Sequence, residues 1–359
     1  MAMTDNLQRL AAGAILALAI GYILHIGRGI LVPLVLGLFI AYVFWTVVAW
    51  VRNAPVIGRH LPDWLAHVGA LVLITLVIWG LVLMVTQNIA MVERQLPTYR
   101  ANLQVLLEQI AELLRLEDVP TFSQLGDEIV ARVDMGRLLG GAVGVVSALI
   151  GNLVVVFVYT AFIMIERLAL VTKLERLTGS AEGGRRMAKA LGEISGRIGR
   201  YLSLKAFVSA LVGAGSWVIM RLIGIDYAEF WAVLIFVFNF VPYVGSFFAV
   251  LLPVILTLVQ FGAIGPFLIA LVSLTGVQLV VGNFLEPRLM GRSLNLSPIV
   301  ILLALAAWSS LWGVVGAFLC VPITVIMLIV FSEFQTTRPL AILLSQDGRI
   351  DPEEQGSGV

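Results

Sequence analysis

From Phe230 to Leu285 the sequence contains no Asp, Glu, Lys or Arg. As one α-helix this stretch would be about 84 Å long at 1.5 Å per residue, against a bilayer hydrocarbon core of about 30 Å. It must cross a membrane at least twice, or cross and double back, and Gly262 to Pro266 is the natural turn. Further apolar runs lie at 10–27, 29–51, 65–92, 138–165, 206–225 and 293–332. Only 13% of the residues are charged, about half the share of an ordinary soluble domain. The runs are too long and too continuously apolar for the alternating segments of a membrane β-barrel. The expected fold is therefore an all-α polytopic membrane protein of about eight transmembrane helices, with seven plus a re-entrant hairpin as the rival count. The first run reads as an uncleaved span, because a second follows after only Gly27-Arg28-Gly29.

Two polar segments set the orientation. Residues 91–140 hold five Arg and eight Asp or Glu, whereas 166–205 hold nine Lys or Arg and four Glu. The positive-inside rule places the basic segment in the cytoplasm, hence the acidic one outside and both termini inside. The acidic segment has a helical apolar stripe at Leu103, Leu106, Leu107, Ile110, Leu113 and Leu114 and reads as a packed helical hairpin or a lid. The basic segment, with Met187, Leu191, Ile194, Ile198 and Tyr201 on one stripe, suits attachment to anionic lipid as well as helix packing. The expected organisation is three N-terminal spans in 1–90, an external amphipathic segment in 91–140, and a fourth span in 141–165. A basic cytoplasmic segment in 166–205, a C-terminal bundle with broken helices in 206–332 and a polar tail in 333–359 complete it.

The C-terminal half is interrupted where an unbroken helix would cost least. A backbone N–H or C=O freed inside a membrane finds no partner in lipid, so each break must be buried in protein or face water. The first break, FNFVPYVGSFFAVLLP at 238–253, brings Asn239, Pro242, Tyr243, Gly245 and Ser246. A second, GNFLEPRLMGRSLNLSP at 282–298, adds Asn283, Glu286, Pro287, Arg288 and Arg292. A third, at Gly313, Gly316 and Pro322, echoes the first: Val244-Gly245-Ser246 has its counterpart in Val315-Gly316-Ala317. Paired Gly/Pro-interrupted segments are a pointer to a transporter's binding site. With Gln278, the uncharged members of these breaks are the candidate substrate pathway. Glu286, Pro287, Arg288 and Arg292 are the candidate gating or coupling group, Glu286 pairing with Arg288, while Lys205 is expected to snorkel to the cytoplasmic interface. The three dispersed histidines and the single cysteine, Cys320, offer no metal spacing, and no nucleotide-binding or hydrolase motif is present. No cofactor, no metal, no catalytic residue and no nucleic-acid partner are expected.

The run RIGRYLSLKAFVSALVGAGSW, the first break, and GNFLEPRLMGRSLNLSPIVILLALAAWSSLWGVVGAFLCVP together resemble the autoinducer-2 exporter family of bacterial inner-membrane transporters. The similarity is motif-specific over about 195–330 and one of layout before that. It implies a homo-oligomer, a pentamer in the family pattern, that moves small solutes out of the cytoplasm, with H+ or Na+ as the coupling ion in some members. It carries the family's breaks onto Pro242, Tyr243 and Gly245, onto Asn283, Pro287, Gly291 and Arg292, and onto Gly313, Gly316 and Pro322. Many members have an acidic residue just before the Gly-Asn pair; here Gln278 is followed by Leu279-Val280-Val281, leaving Glu286 as the nearest carboxylate. The leading expectation is a secondary exporter or facilitator of a small polar solute resembling autoinducer-2. A sodium or lithium/proton antiporter and a non-transporting membrane scaffold are the alternatives.

Overall fold

The computed structural model describes residues 2–53, 62–113, 154–166, 173, 176, 180–290 and 295–348. Among them the chain is helical, with no strand beyond a single bridge between Leu296 and Ser345. The helices are α1 (Ala2–Ile26), α2 (Arg28–Asn53), α3 (Asp63–Leu113), α4 (Val154–Glu166), α5 (Ala181–Ile223), α6 (Ala228–Phe238), α7 (Val244–Phe261) and α8 (Ile264–Leu279). A π-helical stretch (Val280–Leu285), α9 (Glu286–Met290), α10 (Pro298–Glu333) and α11 (Arg338–Leu344) follow. Among the described residues five helical stretches are long and apolar enough to cross a membrane: Arg28–Ala49, Ile194–Ile223, Val244–Phe261, Ile264–Leu289 and Pro298–Ser332. The predicted turn in the charge-free run is present, with Gly262 left-handed between α7 and α8. The remainder of the acidic segment (114–140), the start of the fourth span, and Gly291 and Arg292 lie outside the described residues.

The chain forms two compact units. Residues 1–46, 152–200 and 292–359 make one; 47–151 and 201–291 make the other. In the first unit, α2 and α4 meet where Thr160 donates to the Gly37 carbonyl, and α2 meets α10 through the edge-to-face rings of Phe39 and Phe318, 5.5 Å apart. Trp312 Nε1 donates to the Leu24 carbonyl at 3.0 Å, fixing α1 to α10. Tyr42 donates to the Ser195 carbonyl and lies against Gly199, holding α2 to α5. At the C-terminal end, α11 returns to the segment before α10: Ser297 N–H donates to the Leu344 carbonyl and Gln346 N–H to that of Asn295.

In the second unit the core is built by α5 to α8. Val212, Met220, Ile225, Ala228, Ile235, Ala249, Val254, Ala270 and Leu274 are buried together. On α5 the buried stripe recurs at Lys205, Val208, Ser209, Val212, Ser216 and Met220, the three- and four-residue spacing of one helix face. Three members of that stripe are polar, which a purely packing role does not require. The polar end of α3 closes the unit. Tyr99 donates to Asp226 Oδ2 at 2.8 Å, Asn102 Nδ2 to the Gln260 carbonyl at 2.6 Å, and Gln260 bridges the Asp226 N–H and the Gly224 carbonyl.

Candidate functional site: a polar cluster beside a broken helix

The first break is a tight reversal held by short-range backbone hydrogen bonds. Past Phe238, the N–H of Phe240 bonds Val237, that of Val241 bonds Phe238, and that of Gly245 bonds Val241. Val244 N–H bonds the Pro242 carbonyl at 2.6 Å, two residues back, and Tyr243 between them has φ 58° and ψ −60°. This is the γ-turn, a rare and strained conformation for a side-chain-bearing residue. Gly245 then lies directly on the Phe238 carbonyl, where a Cβ would overlap the backbone. The N–H groups of Phe240, Val241, Val244 and Gly245 are thus met locally, within the turn itself. The Asn239 side chain is thereby left for other partners.

Those partners form a buried uncharged cluster. Asn239, 1% exposed at the end of α6, donates through Nδ2 to Ser209 Oγ of α5 at 3.0 Å. Gln278 near the end of α8 donates through Nε2 to Asn239 Oδ1 at 3.3 Å. Gln278 Oε1 is buried and has no hydrogen-bond partner among the described residues. A buried acceptor left unmet costs about 1–3 kcal/mol, so a donor brought by a solute would be held there. One turn away on α5, Lys205 forms an ion pair with Glu286 at the start of α9. Lys205 is 8% and Glu286 21% exposed at the side chain, so the pair is largely withdrawn from solvent.

The sequence-predicted residues separate on this geometry. Asn239 and Gln278 come together, and Gly245 closes the break that positions them. Glu286 pairs with Lys205, whereas Arg288 is exposed; the expected Glu286–Arg288 pair and the expected snorkelling of Lys205 are both replaced by this one contact. The reason is that Lys205 lies on the buried stripe of α5 and not on its polar face. Tyr243, Asn283 and Pro287 are exposed, and Pro242 and Ser246 half-buried. In the other unit, Gly313 has φ 64° and ψ −140° inside α10, and Gly316 lies on the Trp308 carbonyl. A straight helix would separate positions 308 and 316 by about 12 Å, so α10 turns back sharply, with Pro322 buried in its second limb. The echo between the Gly245 and Gly316 segments is thus structural as well as sequential. Sequence reasoning passed over Ser209 and the depth of Lys205; polar residues at 205, 209 and 216 in an otherwise apolar run were the available signal.

Comparison with known proteins points to membrane transport. A family model described as AI-2E family transporter matches residues 14–335. The AI-2 transport protein TqsA of Escherichia coli (strain K12) is 30% identical over 282 residues, covering 76% of this chain and 79% of that protein. Proteins of Borreliella burgdorferi and Haemophilus influenzae, each described as a candidate transport protein, are 30% and 29% identical. They cover 72% and 80% of this chain and 70% and 83% of their own lengths.

Proposed function

This chain belongs to the AI-2E family of transporters, and we propose that it exports a small, polar, uncharged solute resembling autoinducer-2 across a bacterial inner membrane, with both termini in the cytoplasm. The observation that carries this reading is the Ser209–Asn239–Gln278 cluster with its unmet acceptor. Its hydrogen-bonding groups are all neutral, so it suits hydroxyl-bearing ligands and offers a formal charge nothing to pair with. Solute hydroxyls would meet Gln278 Oε1 and exchange with the weak 3.3 Å contact to Asn239. Cation exchange needs a carboxylate able to alternate between proton and cation, and the occupation of Glu286 by Lys205 weighs against that alternative.

The working assembly in this reading is a homo-oligomer. The first break exposes Tyr243 and the third exposes Gly313, surfaces that a second copy of the chain would cover. The deciding measurement is autoinducer-2 efflux from proteoliposomes preloaded with it. Gln278→Leu, which removes the acceptor and keeps the volume, is expected to lower the rate about tenfold, equivalent to about 1.4 kcal/mol, with insertion unchanged. Unaltered efflux in that variant would remove the cluster from the pathway. Sodium-for-proton exchange abolished by Glu286→Gln would replace the proposal with the antiport reading.

A further inference from the structure

The π-helical stretch Val280–Leu285 lies between Gln278 and Glu286, the two residues of this strand of chain that reach the polar cluster and the ion pair. In a continuous α-helix positions eight apart are displaced by about 80° around the axis. A π turn closes its hydrogen bond one residue further on and so takes up one extra residue. The eight-residue separation then behaves as the seven-residue separation of two α turns, which differs from alignment by only about 20°. The π turn is therefore what allows Gln278 to reach Asn239 while Glu286 reaches Lys205. On the facing helix, Lys205 and Ser209 are four residues apart on the same buried stripe; Lys205 takes Glu286 directly, and Ser209 holds the Asn239 that takes Gln278. If the stretch rewound as regular α-helix, the two contacts could not be held together.

Resting on the transport reading above, we propose that Lys205 is a positioning residue of the transport site and that the π turn at Val280–Leu285 is the switch controlling it. Wound as π, the turn holds Glu286 on Lys205 and Gln278 on Asn239. Wound as α, it carries one of the two away and opens the row of polar side chains to the solute. Each cycle of transport passes through both windings. One feature of the stretch suits this: Val280, Asn283 and Phe284 are exposed, and of its residues Val281 packs against the buried core.

The test uses the full chain with Cys320→Ala, in proteoliposomes of phosphatidylethanolamine and phosphatidylglycerol loaded with autoinducer-2. Lys205→Cys and Glu286→Cys are combined and bridged with a short bis-methanethiosulfonate, because two long side chains separate the backbones. Bridging is expected to be efficient and to be reversed by dithiothreitol, while efflux in the double-cysteine protein should lie at least tenfold below that of the unsubstituted chain whether bridged or not. Deletion of Val280 is the decisive second variant. With one residue fewer, a regular α-helix already aligns Gln278 with Glu286, so bridging and thermal stability should be retained while efflux falls at least tenfold for want of the second winding. Full efflux in a bridged protein, or in the deletion variant, overturns the switch. Failure of the cysteines to bridge, or loss of bridging on deletion, overturns the phase relation. Absence of autoinducer-2 movement in the unsubstituted chain would sink the transport reading instead, and the bridging yields would still decide the winding.

Discussion

Gly245 and Gly316 perform the same task in different segments. Each presses its Cα on the backbone carbonyl of the preceding limb, Phe238 and Trp308 respectively, and no side chain can share that space. Gly245→Ala and Gly316→Ala are each expected to destabilise the protein by about 1–3 kcal/mol, the usual cost of overpacking, read as a lower unfolding midpoint in detergent. Gly265→Ala in α8, where a Cβ meets nothing within 4 Å, should leave the midpoint unchanged or raise it slightly. Equal behaviour of all three would remove the close approach as the reason for glycine. Gly245 was recognisable from the sequence as a break residue, because Pro242 and Gly245 stand in a charge-free run. The contact that makes it irreplaceable was not, since it joins positions seven apart through a turn whose dihedrals depend on Tyr243.

At the scale of elements, the α3 clasp joins a helix to two turns distant in sequence. Tyr99 is 7% exposed, and burial, reinforced by its hydrogen bond to Asp226, pushes its hydroxyl well above the ordinary tyrosine range. The phenol is thus neutral in the folded protein at any physiological pH. A group whose folded value is raised contributes stability below its unfolded value of about 10 and loses it as pH rises toward the folded one. Amide exchange over 95–105 should therefore be flat from pH 6 to 9, after correction for intrinsic rates, and accelerate above about pH 10. Tyr99→Phe should cost about 1 kcal/mol and remove that alkaline step; a step that persists would assign it elsewhere. The acidic segment could be read as amphipathic from Leu103, Leu106 and Leu107. That its continuation from α3 docks through Tyr99 and Asn102 could not, because neither residue stands out from its neighbours in hydropathy.

For the whole molecule, the breaks decide how the chain can live in a bilayer. α6 has 11 residues, about 16 Å, roughly half of a crossing, and it ends at Phe238, five residues before exposed Tyr243. Tyr243→Cys in the Cys320→Ala background is expected to react with a small water-soluble maleimide in intact membranes, and to be shielded from lipid-dissolved quenchers. Strong quenching from lipid with no maleimide labelling would contradict an aqueous or protein-lined setting for the break. The same cysteine should report assembly: spontaneous disulfide dimers on oxidation would show that copies of the chain cover it.

The sequence by itself determined that this protein is an all-α membrane protein with interrupted helices, because hydrocarbon thickness and charge placement are local properties read along the chain. It also determined the chemistry available at the breaks: amides and hydroxyls, with one nearby carboxylate at Glu286. Only the tertiary structure decided which of these groups meet. Asn239 finds Ser209 thirty residues away, and Glu286 finds Lys205 across eighty-one. The phase of Glu286 relative to Gln278 passes through one π turn whose extra residue no periodicity in the sequence announces.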